Sequence, residues 1–175
     1  MNIRERLAYG MLGAPLAMAA LPVYIHAPKL YSDEFGLGLA TTGLILLGSR
    51  MVDTLQDPWL GRLADFMQRR RGGWPMMATV AAVCLGFAYG ALFNPPAHNN
   101  DLLPLWFAVA LVLVYTAHSA LNITYLAWGA RASEDTHERT RIVAVREAFA
   151  LLGVILASLL PMVFADWFDA DLRWL

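Results

Sequence analysis

The chain has 175 residues, of which 58% are hydrophobic and only 15% charged, and its mean hydropathy is +0.49. Soluble domains carry about a quarter charged residues, so this composition excludes an ordinary soluble fold and points to a chain that crosses a membrane several times. The net charge of −1 gives no reason to expect nucleic acid as a partner, and a single cysteine, Cys84, excludes an intrachain disulfide.

In chain order, apolar blocks of bilayer length predict five helical spans, at roughly residues 7–27, 39–63, 75–93, 103–130 and 142–165. The first follows Met1-Asn2-Ile3-Arg4-Glu5-Arg6 and contains Pro15 and Pro22; it lacks a small-x-small cleavage site, so no cleaved signal peptide is expected. Cys84 lies in the apolar run 81–86 of the third span and reads as a buried, inert thiol. Ahead of the fifth span, Asp135-Thr136-His137-Glu138 fits a capping pattern that opens a helix near Glu138. No internal repeat or low-complexity tract is evident.

Loop charges set the expected orientation. Arg4 and Arg6, then Arg69, Arg70 and Arg71, then Arg131, Arg139 and Arg141 fall on one side; the other side holds Lys29 and Arg173. The N-terminus is therefore expected in the cytoplasm and the C-terminus of this chain outside, with residues 166–175 as an external loop.

The second span is the unusual one. Arg50, Asp53 and Asp57 interrupt an otherwise apolar run. Ionisable groups at bilayer depth cost several kcal/mol and normally mark an ion or substrate path. Their i, i+3, i+7 spacing places all three within a roughly 60° wedge of one helix face. Two carboxylates at i, i+4 have Cβ atoms about 5–6 Å apart. They can offer hard oxygen ligands to one Na⁺ or share a proton, and Arg50 can neutralise one of them when no cation is present. An internal ion-pair network holding helices together would account for the same residues. Pro58 frees the Thr54 carbonyl as a further candidate ligand. Gly61 and Asp65 follow where the span meets the cytoplasm: Gly61 permits close helix approach, and Asp65 can pair with an arginine.

The run Arg50-x-x-Asp53-x-x-x-Asp57-Pro58-x-x-Gly61 resembles the second-helix signature of the glycoside–pentoside–hexuronide cation symporters, melibiose-carrier-like members of the major facilitator superfamily. Gly61-x-x-x-Asp65 with its basic loop is similar to the wider superfamily's loop-two motif. Ser119-Ala-Leu-Asn122-Ile-Thr-Tyr125, Glu138-Arg-Thr-Arg141 with Arg146, and Tyr9-Gly10 extend the likeness over nearly the whole chain. The resemblance implies an all-α membrane fold, with about five transmembrane helices forming most of the N-terminal six-helix half. It implies cation-coupled symport of a small polar solute such as a sugar or glycoside in the cell (inner) membrane, with no cofactor beyond coupling Na⁺ or H⁺.

Residue by residue, the resemblance gives Asp53, Asp57 and Ser119 to the cation, Asn122 and Arg146 to the solute, and Arg50, Gly61 and Asp65 to structure or gating. Asn122 stands where sugar carriers have an aspartate, residues 13–17 lack their acidic ligand, and Leu126 replaces an aromatic platform. His118, Thr124 and Tyr125 are candidate cavity groups or helix–helix contacts, whereas Tyr115 and Trp128 read as interface anchors. His98 and His137 fall in loops without zinc spacing.

Such a half needs membrane lipid around it and a C-terminal half or second copy to complete a pathway. Two other classes fit less of the sequence. One is a non-transporting membrane assembly or regulatory subunit. The other is a CDP-alcohol-type phosphotransferase, whose Asp-Gly-x-x-Ala-Arg core is missing here.

Overall fold

A computed structural model describes residues 3–70, 72–96, 101–131, 133 and 135–168, the last eight by backbone alone. Arg71, His98 and Arg173 lie outside the described residues. Six α-helices follow in order: α1 (Ile3–Met11), α2 (Gly13–Lys29), α3 (Leu39–Gln68), α4 (Gly73–Phe93), α5 (Leu103–Arg131) and α6 (Thr136–Phe168), with one π-helical turn at Leu30–Glu34. Among the described residues there is no strand.

Four helical segments are long and apolar enough to cross a membrane: Ile3–Glu34, Gly73–Phe93, Leu103–Arg131 and Thr136–Leu160. Helix α3, at 30 residues, is about 45 Å long at 1.5 Å per residue, which is also ample. Its charges, not its length, set it apart. The chain is an all-α, multi-pass membrane protein.

The expected first span is two helices. Pro15 falls in the first turn of α2 and has no N–H to give the Met11 carbonyl, so α1 ends there. The Leu12 amide instead bonds the Tyr9 carbonyl three residues back, at 3.2 Å. The expected cap ahead of the fifth span is present. The Asp135 carboxylate accepts the His137 amide at 3.0 Å, and α6 runs unbroken from Thr136 through the expected span, so His137 is helical and not in a loop. Residues 166–168, expected in a loop, continue α6.

The helices form two compact units. The first comprises α1, α2, the last turn of α5 from Trp128, and α6. Its helices approach closely because the contact positions are small. A Cβ on Gly13 would lie 2.8 Å from the Arg146 carbonyl, and one on Gly153 would clash with the backbone of Ala14. Arg6 of α1 is ion-paired with Glu138 in the first turn of α6, where a carboxylate also suits the helix dipole.

The second unit comprises residues 30–127. Tyr31 in the π-helical turn anchors it: its ring stacks on Phe107 of α5 at 4.0 Å between centroids, and its hydroxyl donates to the Leu92 carbonyl of α4 at 2.9 Å. Trp106 Nε1 donates to the Ala91 carbonyl at 2.9 Å. Below these, Ala81, Leu85 and Ala88 of α4 and Leu111 and Val114 of α5 are buried.

Cys84 is exposed on α4, contrary to the buried thiol expected from its apolar run. The run is apolar on every side, so it carries no sign of which face is packed.

Replacing Gly153 by Val forces α6 away from α2. Thermal unfolding in detergent is expected to show a loss of about 1–3 kcal/mol, the range for overpacking a close contact.

Candidate functional site

Within the second unit, α3 and α5 bring a polar cluster together. Asp53 Oδ1 accepts the Ser119 hydroxyl at 2.9 Å and the Gln56 amide Nε2 at 3.2 Å. Its other oxygen, Oδ2, faces Arg50 Nη1 at 3.5 Å. Thr116 Oγ1 lies 2.8 Å from Gln56 Oε1 and 2.6 Å from the Val112 carbonyl. A hydroxyl has one proton, so it donates to only one of the two at a time. Arg50 also lies over a ring: its guanidinium carbon is 4.5 Å from the centroid of Tyr115.

The spacing explains the cluster. On α3, Arg50, Asp53, Gln56 and Asp57 share a face; on α5, Tyr115, Thr116 and Ser119 lie within about one helical turn of one another. The Asp53 side chain is 14% exposed and that of Arg50 is 44% exposed. The acid is thus the enclosed member and the arginine the accessible one. Asp57, one turn beyond Asp53, is exposed and makes no hydrogen bond or ion pair among the described residues. The exposed Asp57 carboxylate offers oxygen ligands that a small hard cation can take directly, whereas the enclosed Asp53 is shared with Arg50. Among the described residues no three His, Cys, Asp or Glu side chains gather where they could hold a metal ion. Oxygen from Ser119 and Gln56 would therefore have to supplement the two acids.

Asn122 sits one turn beyond Ser119 on α5, half-buried and without a hydrogen bond among the described residues. Thr124 and Tyr125 are buried, and Thr124 returns its proton to the Ala120 carbonyl at 2.7 Å, so these two pack instead of lining a cavity. Leu126 is exposed. Thr54, expected to lend a carbonyl, uses its hydroxyl on the Arg50 carbonyl at 3.0 Å.

Arg146 belongs to the first unit. It pairs with its neighbour Glu147, lies close enough to the Tyr9 hydroxyl to interact electrostatically, and backs onto the close approach at Gly13. Tyr9 packs edge-on against Trp128 at 5.5 Å.

Three expectations change. Gly61 makes no close approach, since a Cβ there would meet nothing within 4 Å; the tight glycines are all in the first unit or at the α3–α4 turn. Asp65 is exposed with no arginine partner among the described residues, and Arg70 lies over Phe66 instead. Tyr115 is no interface anchor: it is 4% exposed in the middle of α5, under Arg50. Gln56, Thr116 and Glu147 were not singled out in the sequence. The available signal was polarity at helical spacing, with Gln56 three residues past Asp53 and Thr116 three before Ser119.

The family description MFS/sugar transport protein matches residues 7–172. The chain belongs to this family. It is a major facilitator protein of the glycoside–pentoside–hexuronide symporter type, corresponding to the N-terminal part. It is 24% identical to the inner membrane symporter YicJ of Escherichia coli K12, over 98% of this chain and 37% of that protein. It is 30% identical to the uncharacterized symporter YnaJ of Bacillus subtilis 168, over 95% of this chain and 36% of that protein. Identity to the isoprimeverose transporter of Lactiplantibacillus pentosus is 24%, over 94% of this chain and 34% of that protein. The chain thus spans little more than a third of the length of these relatives. No solved structure matches it.

Ser119→Ala removes a hydrogen bond to a carboxylate and is expected to cost about 1–2 kcal/mol in thermal unfolding. Asn122→Ala, which breaks no such bond, should stay within about 0.5 kcal/mol. Equal losses for both would show that the Ser119–Asp53 bond does not hold α3 to α5.

Proposed function

We propose that this chain is the N-terminal part of a cation-coupled symporter of a small polar solute, a sugar or glycoside, in the cell inner membrane. The observation that carries this reading is the Asp53 carboxylate of α3, held by the Ser119 hydroxyl of α5 at 2.9 Å, with Asp57 one turn away and unpaired among the described residues. An enclosed acid with hydroxyl and amide neighbours, next to an accessible acid, has the oxygen chemistry that Na⁺ or H⁺ requires. The relatives named as symporters, and the one named for a glycoside, isoprimeverose, support transport of that solute class.

In this reading Asp53, Asp57 and Ser119 bind the coupling cation, while Asn122 and Arg146 contact the solute. Asn122 hydrogen-bonds a hydroxyl without bringing negative charge. Arg50, Gly61 and Asp65 serve structure or gating. The N-terminus is cytoplasmic and the C-terminus of this chain external, in line with the loop arginines. A C-terminal half or a second copy completes the path, and cation binding biases alternating access.

The test is calorimetric titration of Na⁺ into the detergent-purified protein and its Asp57→Asn variant. Sodium binding that the substitution abolishes supports the reading and identifies Na⁺ as the coupling ion. In the whole carrier, Asp57→Asn is expected to abolish cation-dependent uptake; unchanged uptake would sink the proposal for either ion.

A further inference from the structure

Two contacts of Arg50 differ in kind. One is Asp53 Oδ2, 3.5 Å from Nη1, a long contact for a charge-assisted pair. The other is the face of Tyr115, 4.5 Å from its guanidinium carbon. The ring is 4% exposed, so it is held in place by its packing. The arginine is 44% exposed, which leaves it room to shift between the two.

The other two neighbours of Asp53 can adapt to a cation. A serine hydroxyl and a glutamine amide each carry an acceptor oxygen as well as a donor, so rotation turns either toward a positive ion. A guanidinium has five N–H donors and no acceptor. It cannot share the carboxylate with a cation without placing like charges side by side in a low-dielectric site. Arg50 must therefore be drawn off Asp53 when a cation arrives, and an arginine released at membrane depth needs another partner. The aromatic face is already beneath it.

We propose that Tyr115 is a positioning residue for the cation site: its ring holds Arg50 when the cation takes Asp53, and so lowers the cost of exchanging arginine for cation. The inference rests on the cation-site reading above and adds a residue to it. Tyr115 touches neither cation nor solute; it acts through Arg50.

The experiment is sodium binding by calorimetry to the detergent-purified protein carrying Tyr115→Phe or Tyr115→Leu, each with Arg50 present and with Arg50→Gln. Losing the ring should leave Arg50 on Asp53 and weaken sodium binding about tenfold, the scale of a desolvated cation–π contact. Tyr115→Phe keeps the ring face and should stay within about twofold. In the Arg50→Gln background, Tyr115→Leu should have no further effect.

An equal loss with and without Arg50, or a loss for Phe matching that for Leu, would overturn the proposal and make Tyr115 a packing residue. Wild-type protein that takes up no sodium would instead count against sodium as the ion. The arginine is then decided by melting temperatures for the Arg50/Tyr115 pair, measured with Asp53 and with Asp53→Asn. Non-additivity that grows when Asp53 is neutralised supports the transfer of Arg50 to the ring; non-additivity that stays the same overturns it.

Discussion

The Asp53 carboxylate is the centre of the polar cluster that links α3 to α5, and the placing of the polar residues in the second unit follows from its needs. A membrane interior supplies no water to an acid, so its oxygens must find donors from the protein. Asp53 finds three kinds: a hydroxyl from the facing helix, an amide from the next turn of its own helix, and a guanidinium from the turn before. Each donor belongs to a side chain that would be costly to place there alone. The polar residues therefore justify one another. The same cluster is part of why α3, among the long described helices, is less apolar than the others.

The first unit is held together by different means. Its helices meet through glycines and alanines, with backbone nearly against backbone at Gly13 and Gly153. Two of its ion pairs are Arg6 with Glu138, which joins α1 to α6, and Arg146 with Glu147 on α6 itself. Arg146 is held within this unit by Glu147 on its own helix, by its interaction with the Tyr9 hydroxyl, and by the close approach at Gly13.

Most of the helical framework was legible in the sequence, because span length and loop charge are coarse signals that many residues contribute to. The exceptions have local causes. Pro15 divides the first span through one missing amide hydrogen, a feature that hydropathy averaged over a window does not register. Cys84 was misplaced because α4 is apolar on every side and carries no periodic signal to separate a packed face from an outer one, and Tyr115 because a ring with a polar tip suits a membrane interface as well as a packed site. In the cluster, Arg50, Asp53 and Ser119 stood out by charge or by likeness to a known pattern. Gln56 and Thr116 did not, since a single neutral polar residue in a span is as readily helix–helix glue as part of a site. Which of two turns a polar side chain reaches is settled by packing between helices, and a single sequence does not record that.

The donor set around Asp53 also bears on how coupling would work. A cation that bound two conformations of the carrier equally would shift nothing, however tightly it bound. Coupling needs a group whose arrangement differs between the loaded and empty states. Ser119 and Gln56 serve an acid with a proton or a cation with an oxygen, so each satisfies both states by rotating in place. Arg50 alone cannot serve both. If the cluster binds the coupling cation as proposed, the part able to transmit loading would be the arginine and the Tyr115 ring beneath it. On the proposed reading, the Arg50 side of α3, more than the carboxylates, would be the place where cation occupancy becomes a change in shape.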